Sequence, residues 1–239
     1  LADCGRLQAQ AAAQRLRREL AALGAAAPSR VFASPLVRCV ETAGAVAEEF
    51  GVEAIGVEEG LAETVCEEWM RQWALPDSDS SWDGPAGRPK SSSEPGVRAE
   101  AMQGPSALLR SAAEIRALGD EADLAAARRV DPAHQSHVRL READFAWGRF
   151  ETHEALAERM AATVRARVAE APGQTMVFVS HGAPTAACYW ALTGAPVPEG
   201  SGGMTAMSIL RASAGGWEAL VSNDASHGDE FQVGVRTLF

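Results

Sequence analysis

From Arg6 to Leu23 the chain runs RLQAQAAAQRLRRELAAL, with Leu7, Leu16, Leu20 and Leu23 marking part of an apolar face on a polar background. That spacing and the alanine content predict a helix, and Gly24 and Pro28 supply its stop signals. The pattern then changes. Arg30-Val31-Phe32-Ala33-Ser34 is a short apolar run with no helical period, bounded by Pro28 and Pro35, and it predicts a buried strand. Helical spacing returns over 36–50 and stops at Gly51, and Val52 to Val57 fits a second strand. An order of helix, strand, helix, strand points to an α/β fold whose parallel sheet is covered by helices.

Residues 76–106 break this rhythm with PDSDSSWDGPAGRPKSSSEPG, a Ser, Pro, Gly and Asp mixture that predicts a flexible surface loop. With the helix-like stretch 107–129 it forms an expected insertion or cap over 76–130, inside a single domain spanning 1–239. A further helix is predicted from Glu151 to Glu170, ended by Pro172-Gly173. Thr175-Met176-Val177-Phe178-Val179 is the clearest strand, a continuous apolar run of the buried parallel type. It empties into Ser180-His181-Gly182 and a helix from Pro184 to Leu192. Met204 to Leu210 and Trp217 to Val221 predict two strands joined through Ala214-Gly215-Gly216.

Charge and cysteine usage narrow the functional classes. With 32 acidic against 22 basic residues the net charge is −10, which argues against a general nucleic-acid or anionic-membrane surface. An anionic small substrate stays open, because a few arginines in one cleft set the local field. Cys4, Cys39, Cys66 and Cys188 are scattered without a CxxC pair, so neither a zinc site nor a dense disulfide framework is predicted. No apolar run reaches the roughly 18 residues of a membrane span. Reduced thiols and a cytoplasmic setting are the expectation. The sequence opens on Leu1 rather than Met, so a fragment or processed product is expected, with any upstream targeting segment out of sight.

Two junctions carry candidate chemistry. In VFVSHGAP, residues 177–184, a buried strand ends at His181 and a helix begins, with Gly182 permitting close backbone approach. In open α/β sheets ligands gather at the carboxyl ends of strands, where helix amino termini offer N–H groups to anions. In VFASPLVRCVETA, residues 31–43, the same geometry recurs, with Arg38 in the first helical turn. A guanidinium matches two phosphate oxygens, and a cation at a helix amino terminus is disfavoured unless an anion arrives.

These motifs resemble those of the histidine phosphatases, the phosphoglycerate-mutase-like superfamily. Gly5-Arg6-Leu7-Gln8-Ala9 is similar to its first helix, and Ala33 to Ala43 (ASPLVRCVETA) to its Ser-Pro-x-x-Arg motif. Gly60-Leu61-Ala62-Glu63 resembles the segment supplying the acid, Glu151-Thr152-His153 with Arg159 a later helix, and Val179-Ser180-His181-Gly182 the second catalytic histidine. Asn223-Asp224-Ala225-Ser226-His227 is similar to a stretch in the eukaryotic branch that includes suppressor-of-T-cell-receptor-signalling phosphatases. The resemblance implies a three-layer sandwich with a mostly parallel central sheet flanked by helices. It implies hydrolysis of a phosphomonoester through a phosphohistidine. Arg38, His181 and Gly182 would bind the phosphoryl group, and His181 and Glu63 would be catalytic, with Glu59 the alternative acid. Protein cations would do the work of a metal, so no cofactor is implied.

The family's Arg-His-Gly segment, which carries the attacking histidine and the first strand, has no counterpart here. The expectation is therefore an active phosphatase when that segment is present and an inactive fragment without it. A catalytically silent phosphate-binding or interaction module is the alternative, and a phosphoglycerate-type mutase a further one. The substrate would be a phosphorylated small molecule or phosphoprotein, and exposed C-terminal strands could support a homodimer. His134 and His137, near Asp131, suggest a metal pair but lack a third ligand and a scaffold. Ser180 lacks the Gly-x-Ser-x-Gly elbow of a hydrolase nucleophile. Trp69, Trp73, Trp147 and Trp190 are expected as core or cleft wall, and Ser91-Ser92-Ser93 as solvated linker.

Overall fold

The computed structural model describes residues 1, 3–64, 109–121, 123–140, 151–198 and 203–231, together with the backbone of two short strands at 82–83 and 88–89. Helix α1 spans Asp3–Ala22 and leads into strand β1, Arg30–Ala33. Helix α2, Val37–Phe50, follows and ends on Gly51, whose φ of 70° lies in the left-handed region glycine tolerates. Strand β2 is Ile55–Val57, shorter than the apolar run suggested, and a single 3-10 turn, Glu59–Leu61, succeeds it. β3, Trp82–Asp83, and β4, Arg88–Pro89, form a small antiparallel pair. Helix α3 covers Ala112–Glu121, α4 His153–Glu170, and α5 Gly182–Thr193, with β5, Met176–Val179, between the last two. Strands β6, Met207–Ser213, and β7, Gly216–Asp224, pair as a hairpin.

The central sheet has the order β2-β1-β5 and is parallel throughout. Alternation along its strands makes the three layers, because successive side chains leave a strand on opposite faces. Val31 and Ala33 of β1, with Val177 and Val179 of β5, pack toward α2, among Val40, Ala43, Val46 and Ala47. Phe32 of β1, with Met176 and Phe178 of β5, packs toward α4 and α5, among Leu156, Met160, Val164 and Leu192. The α/β class, parallel sheet and flanking helices are those expected. Alanine on α2 buries little area per residue, and its small size sets that helix close against the sheet.

The predicted helix over 107–129 stops at Glu121 among the described residues. Asp123 takes φ 52°, and the chain resumes as a 3-10 turn at Ala127–Arg129. Arg128 folds back on Asp120 and Asp123, holding the corner. Ala112, Ile115, Ala127 and Val130 all enter the same cluster as β1, and Val130 bridges to Ile55. Ala112, Ile115, Ala127 and Val130 thus help build the core. The loop expected over 76–106 lies outside the described residues except for the β3–β4 backbone. So do Ser91 to Ser93, Cys66, Trp69, Trp73 and Trp147. Trp190 is 39% exposed and packs its ring 5.2 Å from that of His153. Among the described residues no helix is long and apolar enough to cross a membrane.

Candidate active site

Because β1, β2 and β5 run parallel, their carboxyl ends emerge on one edge, and that edge gathers the candidate residues. Backbone bonds tie the three ends together. The Ser34 amide donates to the Val179 carbonyl at 2.9 Å, and the Glu58 amide to the Ala33 carbonyl at 2.9 Å. His181 is the N-cap of α5, held extended at φ −117° and ψ 169°, which turns its imidazole across the sheet edge toward α2. Arg38, in the first turn of α2, donates from a terminal guanidinium nitrogen to His181 Nδ1 at 2.9 Å. Glu63 Oε2 lies 3.5 Å from the same Nδ1 and 3.8 Å from the Arg38 guanidinium. Residues 25, 118 and 143 positions apart in sequence therefore share one hollow.

The hydrogen-bond partners fix the state of the imidazole. A guanidinium can only donate, so Nδ1 accepts and carries no proton. The ring proton then sits on Nε2 and is donated to Ser34 Oγ at 2.8 Å. Burial of the ring, then the charges of Arg38 and Arg159, hold the His181 pKa down at about 3. Cys39 lies beside it, its sulfur 3.5 Å from Nε2, and burial pushes the thiol up to about 12. That thiol is a neutral packing group, not a nucleophile.

Glu63 owes its position to a buried clamp. Arg159 of α4 is 8% exposed and donates to the carbonyls of Gly60 at 2.8 Å, Ala62 at 3.1 Å and Glu63 at 3.3 Å. Its fork is squared off by Glu151 through bonds of 2.8 and 2.7 Å. The Ser180 hydroxyl donates to the Leu61 carbonyl at 2.7 Å, so the residue before His181 also holds the loop that carries Glu63. Gly60 is required by contact, since a Cβ there would run into the Thr163 side chain.

Sequence reasoning named Arg38, Glu63, His181 and Gly182, and the fold brings them to this edge. The space in front of Gly182 is open to 4 Å. Glu59, the alternative acid, points elsewhere, taking bonds from Arg139 at 2.9 Å and the Leu140 amide at 2.8 Å. His134 and His137 serve a buried carboxylate. Glu58, fully buried, accepts from His134 Nε2 at 2.7 Å, the His137 amide at 2.9 Å, Ser136 Oγ at 3.0 Å and Arg167 at 2.5 Å. Burial raises the Glu58 pKa, but those donors outweigh it and leave the group below its ordinary value. A cavity of about 440 Å³ opens at the other end of the sheet, lined by Arg30, Phe50, Gly56, Asp131 and His134 and by none of the site residues.

Comparison with known proteins gives the family. The model of the histidine phosphatase superfamily (branch 1) matches residues 1–104 and 114–225. The chain belongs to this superfamily. No curated protein matches the sequence. Among solved structures, this superfamily member is similar to YhfR of Bacillus stearothermophilus, at 21% identity and TM-score 0.53 over 95% of this chain and 86% of the other. It is similar to a mycobacterial glucosyl-3-phosphoglycerate phosphatase bound to VO3, at 24% identity and TM-score 0.52 over 94% and 87%. It is also similar to the tungstate-bound ecdysone phosphate phosphatase of Bombyx mori, at 18% identity and TM-score 0.50 over 92% and 70%. At these identities the likeness is one of fold.

The local sequence pattern leaves several partners of this candidate site without a role. Ser34 and Cys39 were matched to a motif without a role. In sequence Ser180 reads only as a failed nucleophile elbow, and Arg159 and Glu151 only as part of a resemblance. A signal for Arg159 was available. It sits beside Met160 and three residues from Leu156 on the apolar face of a helix, where an unpaired guanidinium would not be buried.

Proposed function

We propose that the whole protein is a phosphomonoester hydrolase working through a phosphohistidine, with these residues supplying the phosphoryl-binding half of its site. The observation that carries the reading is the meeting of Arg38, His181 and Glu63 at the carboxyl edge of the sheet. Arg38 would grip two phosphoryl oxygens, and a protonated His181 would neutralise a third, stabilising charge as it develops. Glu63 would protonate the leaving alcohol and then take a proton from the hydrolytic water. Vanadate and tungstate, the oxyanions in two of the similar structures, support a phosphoryl ligand of this kind. A phosphorylated small molecule is the substrate class most in keeping with those structures.

The attacking histidine is assigned to an Arg-His-Gly strand that the sequence does not contain. None of the four histidines besides His181 is bonded to the hollow. His134 and the His137 amide serve Glu58, His153 lies on Trp190, and His227 bonds Thr205. Room for such a strand supports the assignment. β5 stands at the edge of the sheet among the described residues, and all four of its residues are half-exposed. The same histidine census favours a second reading, a phosphate-binding module without turnover.

The two readings part on one experiment. The gene product carrying the Arg-His-Gly strand should hydrolyse p-nitrophenyl phosphate in the presence of a chelator. Arg38→Ala or His181→Ala should each cost about 2–4 kcal/mol in transition-state stabilisation, roughly 30- to 1000-fold in rate. Undiminished turnover by His181→Ala would refute the assignment. Absence of that strand from the natural gene product would favour the silent module. Turnover by these 239 residues alone would mean that another group attacks phosphorus.

A further inference from the structure

Building on the phosphoryl-site reading, we propose that an oxyanion entering the hollow draws one proton from solvent onto Nδ1 of His181, so that binding and protonation are one linked event. Nδ1 is a bare lone pair, because its partner Arg38 can only donate. The other ring nitrogen keeps its proton. Ser34 Oγ, fully buried, accepts from Nε2 at 2.8 Å and from the Leu36 amide at 3.4 Å.

An anion that bridges Arg38 and His181 takes the guanidinium's place at Nδ1. It then sets its own charge against a bare lone pair that already faces the Glu63 carboxylate at 3.5 Å. That contact is repulsive until a proton is added. Once protonated, Nδ1–H donates to the anion, and the imidazolium faces its negative charge. The balance is simple: the neutral ring gains one proton from solvent or buffer, and no covalent bond between heavy atoms changes. Among the described residues, the titratable groups facing the ring are Arg38 and Cys39 from α2 and Glu63 from the segment after β2, and the charge of Arg159 from α4 also acts on it. Arg38 donating to Nδ1 leaves that nitrogen without a proton, and burial and the two guanidiniums favour the neutral ring, so the proton arrives with the ligand. Linkage then requires affinity to fall as pH rises, by up to tenfold per unit where a full proton is taken up.

The test needs no turnover. Tungstate, a dianion between pH 6.5 and 8, is titrated calorimetrically into the 239-residue chain in two buffers of different ionisation enthalpy. The expected result is uptake of about one proton per tungstate bound, with affinity declining across that range. His181→Asn should bind more weakly, take up no proton and show a flat pH profile. Tungstate bound with no uptake and no pH dependence would overturn the proposal and leave the phosphoryl site standing, the ring having moved its own proton from Nε2 to Nδ1. No tungstate binding at all would overturn the phosphoryl-site reading and this proposal together.

Discussion

His181 is a side chain whose two nitrogens are both spent inside the protein, one on Arg38 and one on Ser34. Its buried, neutral state also bears on stability. The folded pKa, about 3, lies below the ordinary value of 6.5, so the unfolded chain binds the proton more readily. Stability associated with this group is fully present above about pH 6.5 and is lost as pH falls toward 3, at no more than about 1.4 kcal/mol per pH unit. Urea unfolding between pH 4 and 7 should therefore steepen with acid in the native chain. It should flatten in His181→Asn, whose replacement does not titrate. An unchanged slope in that variant would assign the acid sensitivity to other groups. Cys39, beside it, illustrates the opposite sign: burial raises the thiol to about 12 and keeps it uncharged next to the imidazole.

At the scale of elements, the segment from Glu58 to Glu63 is held by donors from α4 and from the end of β5. A loop buried this deeply must have its carbonyls met by side chains, since water does not reach them. Arg159 meets three and Ser180 a fourth. The charge this buries is tolerated because Glu151 grips the guanidinium from the other side. Arg159→Met should cost about 3–5 kcal/mol in urea unfolding, the range for breaking a buried ion pair by deleting one partner. Replacing Arg159 and Glu151 together by apolar residues should recover part of that loss, because no uncompensated carboxylate is left behind. A double variant as unstable as the sum of the singles would show that the carbonyl bonds, rather than the pair, dominate. The second buried cluster, Glu58 with Arg167 and His134, fixes the other end of the same segment. The segment carrying Glu63 is thus pinned at both ends.

For the molecule as a whole, β1 is the keel. It pairs with β2 on one side and β5 on the other, and Val31, Phe32 and Ala33 are at most 2% exposed. β5 is bonded along β1 but stands at the sheet edge among the described residues. Amide hydrogen exchange should accordingly be slower through β1 than through β5, and equal protection of the two would show that β5 is covered on its far side. The β6–β7 hairpin stands apart from this sheet, docked through Leu210 and Trp217 on the α4–α5 face and through Asp224 on Arg15 of α1. Much of this plan was legible beforehand. Apolar runs and their bounding Pro and Gly located β1, β5 and the main helices, because burial of a short strand leaves a local mark on residue type. Arg38 and His181 were legible for a related reason, as polar residues placed just where a buried strand gives way to a helix. What no local pattern could supply was partnership. Ser34 as the acceptor of an imidazole proton, Arg159 as the clamp on Glu63, and His134 on Glu58 join residues 76 to 147 positions apart. The choice of Glu63 over Glu59 at the hollow depends on how a single 3-10 turn rotates the chain by a few residues. The sequence by itself determined which segments are buried and which junctions are polar. The tertiary structure alone decided which polar groups meet, because a hydrogen bond is settled by tenths of an ångström that only the packed sheet and helices define.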